Sequence, residues 1–199
     1  MRPFVQETPA IRAHYSRLAL KRLRAFPDNK GVEIRERVTP AYLAEIREAA
    51  SLTWVPIEAV VELCDAIHAV LGDDAARGFW TDLMRDSYDH GILKPLTVLA
   101  HFNLGRSGAS RLLHTAPRAW ALSTRNCGTI EVVDEPGGGL RLQGVDLIPA
   151  VLHSRGFMCV FHGACQAMLE LFKSRGQVRV YQHTVDDRTQ LAFEIAFEA

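Results

Sequence analysis

The sequence predicts an α+β fold: an N-terminal helical part, then a β-hairpin, a long helix and a second β-hairpin. Three observations carry this expectation. Apolar residues recur at helical spacing through residues 39–88, most clearly in IEAVVELCDAIHAVLG. Two pairs of segments, GTIEVV with LRLQGV and QVRVYQHTV with QLAFEIAFE, alternate with period two about turn residues. Between the pairs lies DLIPAVLHSRGFMCVFHGACQAMLELFKSR, residues 146–175, which reads as one long, mostly buried helix. Two hairpins flanking one helix are most simply a four-stranded antiparallel sheet whose apolar side the helix covers.

In chain order, Thr8 with Pro9 is a helix start, since threonine caps free amides and proline is tolerated at the first helical position. A basic amphipathic helix is expected from there to about Phe26, with Arg12, Arg17, Lys21, Arg22 and Arg24 on its polar side. Gly31 to Val38 suggests a short strand interrupted by charges. Thr39 with Pro40 opens a helix to about Ser51, and Trp54, Val55 and Pro56 lead into the next, in which Ile57, Val60, Val61, Cys64, Ile67 and Leu71 form one face. Gly72 ends that helix and Asp73 or Asp74 caps another to about His90. The segment ILKPLTVLAHFNLG is apolar almost all round and reads as a central helix, followed by shorter ones from Ser107 and from Pro117. The run from Asp134 to Gly139 is a hairpin turn, and Asp186 with Asp187 marks the second.

With 199 residues, 48% of them hydrophobic, the chain can bury a substantial core, and one domain is expected, mainly helical over 1–126 and hairpin, helix, hairpin over 127–199. Basic and acidic residues balance at 23 each, which gives no reason to expect a nucleic-acid partner. The balance hides an asymmetry: residues 1–30 hold seven basic and two acidic side chains, residues 31–100 six and twelve, so these parts can attract each other. No membrane span or signal peptide is visible, and a cytoplasmic protein with four reduced cysteines is expected.

Several constellations could carry chemistry. Cys159, His162 and Cys165 are soft ligands at steps of three on the long helix, which fan over about a third of its circumference, so two of them with an outside residue such as His183 suit a zinc ion better than all three. His101, in the most hydrophobic segment, could bind a haem iron or a backbone carbonyl. Asp65 with His68, and Asp86 with His90, stand at the spacing of helix neighbours. In LGRSGASRLL, Arg106, Ser107 and Arg111 offer a generic anion site at a helix start, though helix capping is the blander and preferred reading of Ser107, and the Walker lysine and glycine spacing are missing. No nucleophile elbow or catalytic set is present, so a non-enzymatic chain is expected.

From Trp54 onward the order WVP, LG, PRAW, first hairpin, HGACQAMLEL, GQVRVYQH and FEIAF resembles a large myxobacterial family of proteins of about this length without assigned activity. The second half is also similar to the vinyl-4-reductase domain, a small-ligand module whose fold is shared with haem-dependent nitric-oxide sensors and TRAPP subunits. The resemblance implies a signalling or adaptor domain that binds a small apolar ligand or a protein partner, a second copy included. The pocket is expected between the central helices and the helix from Ile148 to Phe172, with His101, Phe157, Phe161 and His162 as ligand-binding candidates. Where the vinyl-4-reductase pattern has two cysteines on its last hairpin, this chain has His183 and Leu191. The haem sensors space a tyrosine, a serine and an arginine by single residues, whereas Tyr15, Ser16 and Arg17 are contiguous. The expectation is therefore no cofactor, with a haem- or zinc-dependent sensor, or a structural oligomerisation scaffold, as alternatives.

Overall fold

Four strands, β4 (Thr129–Asp134), β5 (Leu140–Val145), β6 (Gly176–Val185) and β7 (Arg188–Phe197), form one antiparallel sheet in the order β4-β5-β7-β6. This is the sheet the two alternating pairs predict, its centre closed by the register Leu140 to Ile195 and Leu142 to Phe193. Leu140 and Leu142 on β5 and Leu191, Phe193 and Ile195 on β7 are buried on one face, so the period-two pattern sets which side is covered. The coordinates are a computed structural model that describes residues 8–88, 106–136, 138–185 and 188–198. Preceding the sheet are α1 (His14–Leu23), α2 (Lys30–Glu36), α3 (Pro40–Glu48), α4 (Ile57–Leu71), α5 (Asp73–Tyr88), α6 (Arg106–Leu113) and α7 (Ala116–Ser123). Between the hairpins come α8 (Pro149–Leu152) and α9 (Arg155–Leu171). The expected central helix ILKPLTVLAHFNLG, residues 92–105, and with it His101, lies outside the described residues, as does His90.

The expected single helix over 146–175 is corrected: it is two helices that break at Ser154. The Ser154 hydroxyl accepts from the Phe157 amide at 2.9 Å and donates to the Asp65 carboxylate at 2.7 Å, while Asp65 also accepts from the Gly156 amide at 2.8 Å. Asp65 thus fixes the start of α9 to α4, and the expected Asp65–His68 pair does not form. From there α9 runs between two layers, with α4 and α5 on one side and the sheet on the other. Gly156 and Gly163, seven residues apart and therefore on one stripe, face the helical layer. A Cβ on Gly156 would lie 2.2 Å from the Cys64 carbonyl, and one on Gly163 2.7 Å from the Thr81 amide nitrogen, so these glycines let the helix backbones approach.

At the amino terminus the expected helix start is a strand. β1 (Ala10–Arg12) pairs antiparallel with β2 (Trp54–Pro56) and with β3 (Thr124–Arg125) in a second, three-stranded sheet. The Arg12 and Arg125 guanidinium groups lie 3.7 and 4.6 Å from the Trp54 ring centroid. Residues 30–36 are helical rather than extended, with Ile34 fully buried and Glu33 paired to Arg37 at 2.9 Å. The charge asymmetry takes the form of Arg22 on α1 bridging Asp82 and Asp86 on α5 at 3.2 and 3.1 Å. Among the described residues no helix is long and apolar enough to cross a membrane.

Candidate ligand cavity

On the sheet side of α9, Phe157, Val160, Phe161, Ala164, Cys165 and Met168 fall on one stripe at helical spacing. Their side chains form one wall of an almost wholly apolar cavity of about 130 Å³. Ile130 of β4, Leu142 of β5 and Phe193 of β7 form the floor; Ala116, Ala119 and Trp120 of α7 close one side, and Ile11, Tyr15 and Met84 the other. Phe161 is the hub of an aromatic cluster, with ring centroids 4.5 Å from Phe193, 5.2 Å from Phe157 and 5.4 Å from Trp120. The Trp120 indole donates to the Gly128 carbonyl at 2.9 Å, which leaves its ring face for the cavity.

Three polar side chains, Tyr15, Ser123 and Thr124, interrupt the apolar lining. The Tyr15 hydroxyl is buried and has no hydrogen-bond partner among the described residues, and burial pushes its pKa far up, so it stays protonated. A buried hydroxyl left unmatched costs roughly 1–3 kcal/mol, a cost that a polar ligand in the cavity would recover. The other titratable group in the lining, Cys165, is pushed up to about 12 by burial and is a neutral thiol at any physiological pH.

The candidates named from the sequence separate here. Phe157 and Phe161 line the cavity. His162 does not: α9 turns it to the α5 side, into an open groove with Asp74, Arg77, Thr81 and Glu170. The four zinc candidates lie apart as well: Cys165 faces the cavity, His183 sits on β6 beside Tyr181, and of the four Cys159 belongs to a cluster of ligating atoms among the described residues, with His68 and Asp73. Of the anion candidates, Ser107 lies inside α6 rather than at its cap; Ser107 and Arg111 are exposed, and the Arg106 side chain lies outside the described residues. Tyr15 and Trp120 went unmarked as site residues, since nothing local distinguishes them from core aromatics.

Burial of the His162 imidazole lowers its pKa from 6.5, with the nearby Arg77 charge acting the same way. The unfolded chain therefore takes up the proton first as pH falls. Stability should decline below about pH 6.5 and level off only beneath the depressed folded value. Urea midpoints measured between pH 7.5 and 5 should show this decline, and His162→Gln should make it shallower; an unchanged slope would mean that His162 is not the group responsible.

No protein-family model and no curated protein matches the chain. Solved structures do. An Fe(II) unliganded H-NOX protein mutant from K. algicida superposes with a TM-score of 0.64 at 13% identity, covering 95% of this chain and 97% of that one. An oxygen-binding H-NOX domain related to soluble guanylate cyclases, in its oxygen complex, gives 0.59 at 13% identity, covering 95% and 96%. A structure described by its haem distortion in the H-NOX family gives 0.56 at 11%, with the same coverage. The chain has the H-NOX fold.

Of the resemblances expected from sequence, the H-NOX matches carry the one to haem-dependent sensors, at the level of fold; the myxobacterial and vinyl-4-reductase resemblances gain no support from them. They also correct the expectation of no cofactor. Solved structures that share this fold over nearly its whole length are described by their iron and their haem, whereas the sequence expectation rested on departures from motifs, the missing tyrosine, serine and arginine spacing among them.

Proposed function

We propose that the chain is a ligand-binding sensor domain that works through haem, with the macrocycle held against the aromatic stripe of α9. The observation that carries the reading is the buried Tyr15 hydroxyl, without a hydrogen-bond partner among the described residues, on a residue that lines a mainly apolar cavity within a fold shared with H-NOX domains. The aromatic and aliphatic walls match the faces of a porphyrin. In size the cavity does not match: about 130 Å³ suits a guest as small as benzene, and a macrocycle needs the walls to part. The wall that would have to part is α7, none of whose residues is fully buried.

Haem, when bound, supplies an iron centre that holds a small diatomic ligand. On this reading the chain's own part is threefold: the α9 stripe binds the macrocycle, the apolar lining excludes water, and Tyr15 donates a hydrogen bond to what occupies the cavity. No histidine lines the cavity among the described residues. His101, between α5 and α6 and outside the described residues, is the histidine that would hold the iron. The chain is then a sensor that reports to a protein partner rather than a catalyst.

The test is an absorption spectrum and iron content of the purified chain, before and after incubation with haemin. A Soret band at one iron per chain that His101→Ala abolishes is the expected result, and no band after reconstitution would sink the reading. The cavity's size favours one other occupant, a benzene-sized apolar guest taken up directly, which a benzene-dependent rise in the thermal midpoint of a colourless protein would report.

A further inference from the structure

The face of α9 that turns away from the cavity carries a second cluster. Cys159 stands on the α4–α5 side, where α4 ends at Gly72 and α5 begins at Asp73. The turn brings His68, in the last turn of α4, to within 2.5 Å of the Asp73 carboxylate, Nε2 to Oδ1. Cys159 Sγ joins them, and the three ligating atoms all lie within 4.8 Å of one another. They come from three different elements, two of them either side of a turn and the third from across the helix packing.

We propose that His68, Asp73 and Cys159 form a binding site for a borderline divalent transition metal, Zn²⁺ in the first place. The donor set is one imidazole, one thiolate and one carboxylate, the mixture that suits zinc and excludes magnesium and calcium, which take oxygen alone. Metal–ligand bonds of about 2.0–2.3 Å at tetrahedral angles put ligand atoms roughly 3.3–3.6 Å apart. His68 and Asp73 must open from hydrogen-bond contact and the sulfur must close in, movements of about an ångström. Asp73 is free to make its share, since its side chain is 56% exposed. Three protein ligands leave the fourth position to water, on the solvent side of Asp73.

Charge decides whether the site can load. Asp73 and a Cys159 thiolate together neutralise the metal. Burial pushes the Cys159 thiol up, and Arg77, which hydrogen-bonds it, pulls it down, while Asp73 and Asp65 act with burial. On loading, Arg77 must leave the sulfur; its side chain is 44% exposed and has Asp74 as a partner at 3.9 Å, so it has somewhere to turn. Arg155 is the other cation that acts on Asp73. The site is independent of the haem reading, because it uses none of the residues that line the cavity.

The test titrates the purified chain with Zn²⁺ against a chromophoric chelator, and with Co²⁺ as a spectroscopic stand-in. One equivalent should bind, with a thiolate-to-cobalt charge-transfer band in the near ultraviolet and tetrahedral d–d bands in the visible. His68→Gln and Asp73→Asn alter groups at or near the surface, so the variants fold, and each should weaken binding at least about tenfold. Cys159→Ser should remove the charge-transfer band, whereas Cys127→Ser, a buried thiol on another part of the fold, should leave it. No stoichiometric binding, or binding that His68→Gln and Asp73→Asn leave unchanged, would overturn the proposal.

Discussion

Gly156→Ala is expected to destabilise the chain by about 3 kcal/mol or more, lowering the thermal midpoint by roughly 6–12 °C for a chain of this size. Alanine is the better helix former by about 1 kcal/mol, so propensity alone predicts the opposite sign. Packing decides it. The new methyl would sit 2.2 Å from both the carbon and the oxygen of the Cys64 carbonyl. Those are backbone atoms of α4 and cannot rotate away, so relief requires moving α9 off α4. That movement also stretches the bonds from Asp65 to Ser154 and to the Gly156 amide. Gly163→Ala should cost less, since its nearest neighbours stand at 2.7 Å. Urea denaturation of the two variants checks both size and order, and a Gly156→Ala protein within about 1 kcal/mol of the parent would mean that the two helices are not held so close.

Filling the cavity should have the largest effect on function. Ala164 lines it from the middle of α9, and Ala164→Phe delivers a phenyl ring into a space of about 130 Å³. An apolar cavity of about 150 Å³ holds one benzene, so the ring leaves no room for another guest. Haem uptake should fall at least about 100-fold, equivalent to about 2.7 kcal/mol of binding. Stability should change little, within about 1.5 kcal/mol, because burying the ring offsets the strain of inserting it. Haemin titration read at the Soret band, with a thermal melt in parallel, measures both. Undiminished uptake by a folded Ala164→Phe protein would place the ligand elsewhere.

Local patterns made most of the fold legible. The sheet was readable because β5 and β7 bury alternate residues, and α4 because its apolar positions repeat every three to four. The N-terminal helix start was misread since Thr8 and Pro9 carry a cap signature, while the forces that extend Ala10–Arg12 come from β2 and β3, far away in sequence. The break before α9 was written in Ser154, a good cap residue, but it was masked by an apolar run on both sides. Within the site, Phe157 and Phe161 could be found because they share a helix stripe. Tyr15, Trp120 and the trio of His68, Asp73 and Cys159 could not, because each acquires its role only when separate elements meet. The cofactor expectation failed for a related reason: a fold shared at 10–13% identity leaves no motif to read.

The small three-stranded sheet sets the order in which this chain can reach its native state. Its two ladders join Ala10 to Pro56 and Ala10 to Arg125, so closing the second means gathering more than half of the chain into one loop. The entropy of that closure must be met before five residue pairings and the Trp54 stack return anything. The β4–β5 and β6–β7 hairpins and the helices form from neighbours in sequence and can be in place within microseconds, whereas the small sheet has to wait for the rest to bring its ends together. Refolding is thus a matter of a quick interior and a slow seam, and the seam lies beside Ile11 and Thr124, at the rim of the cavity.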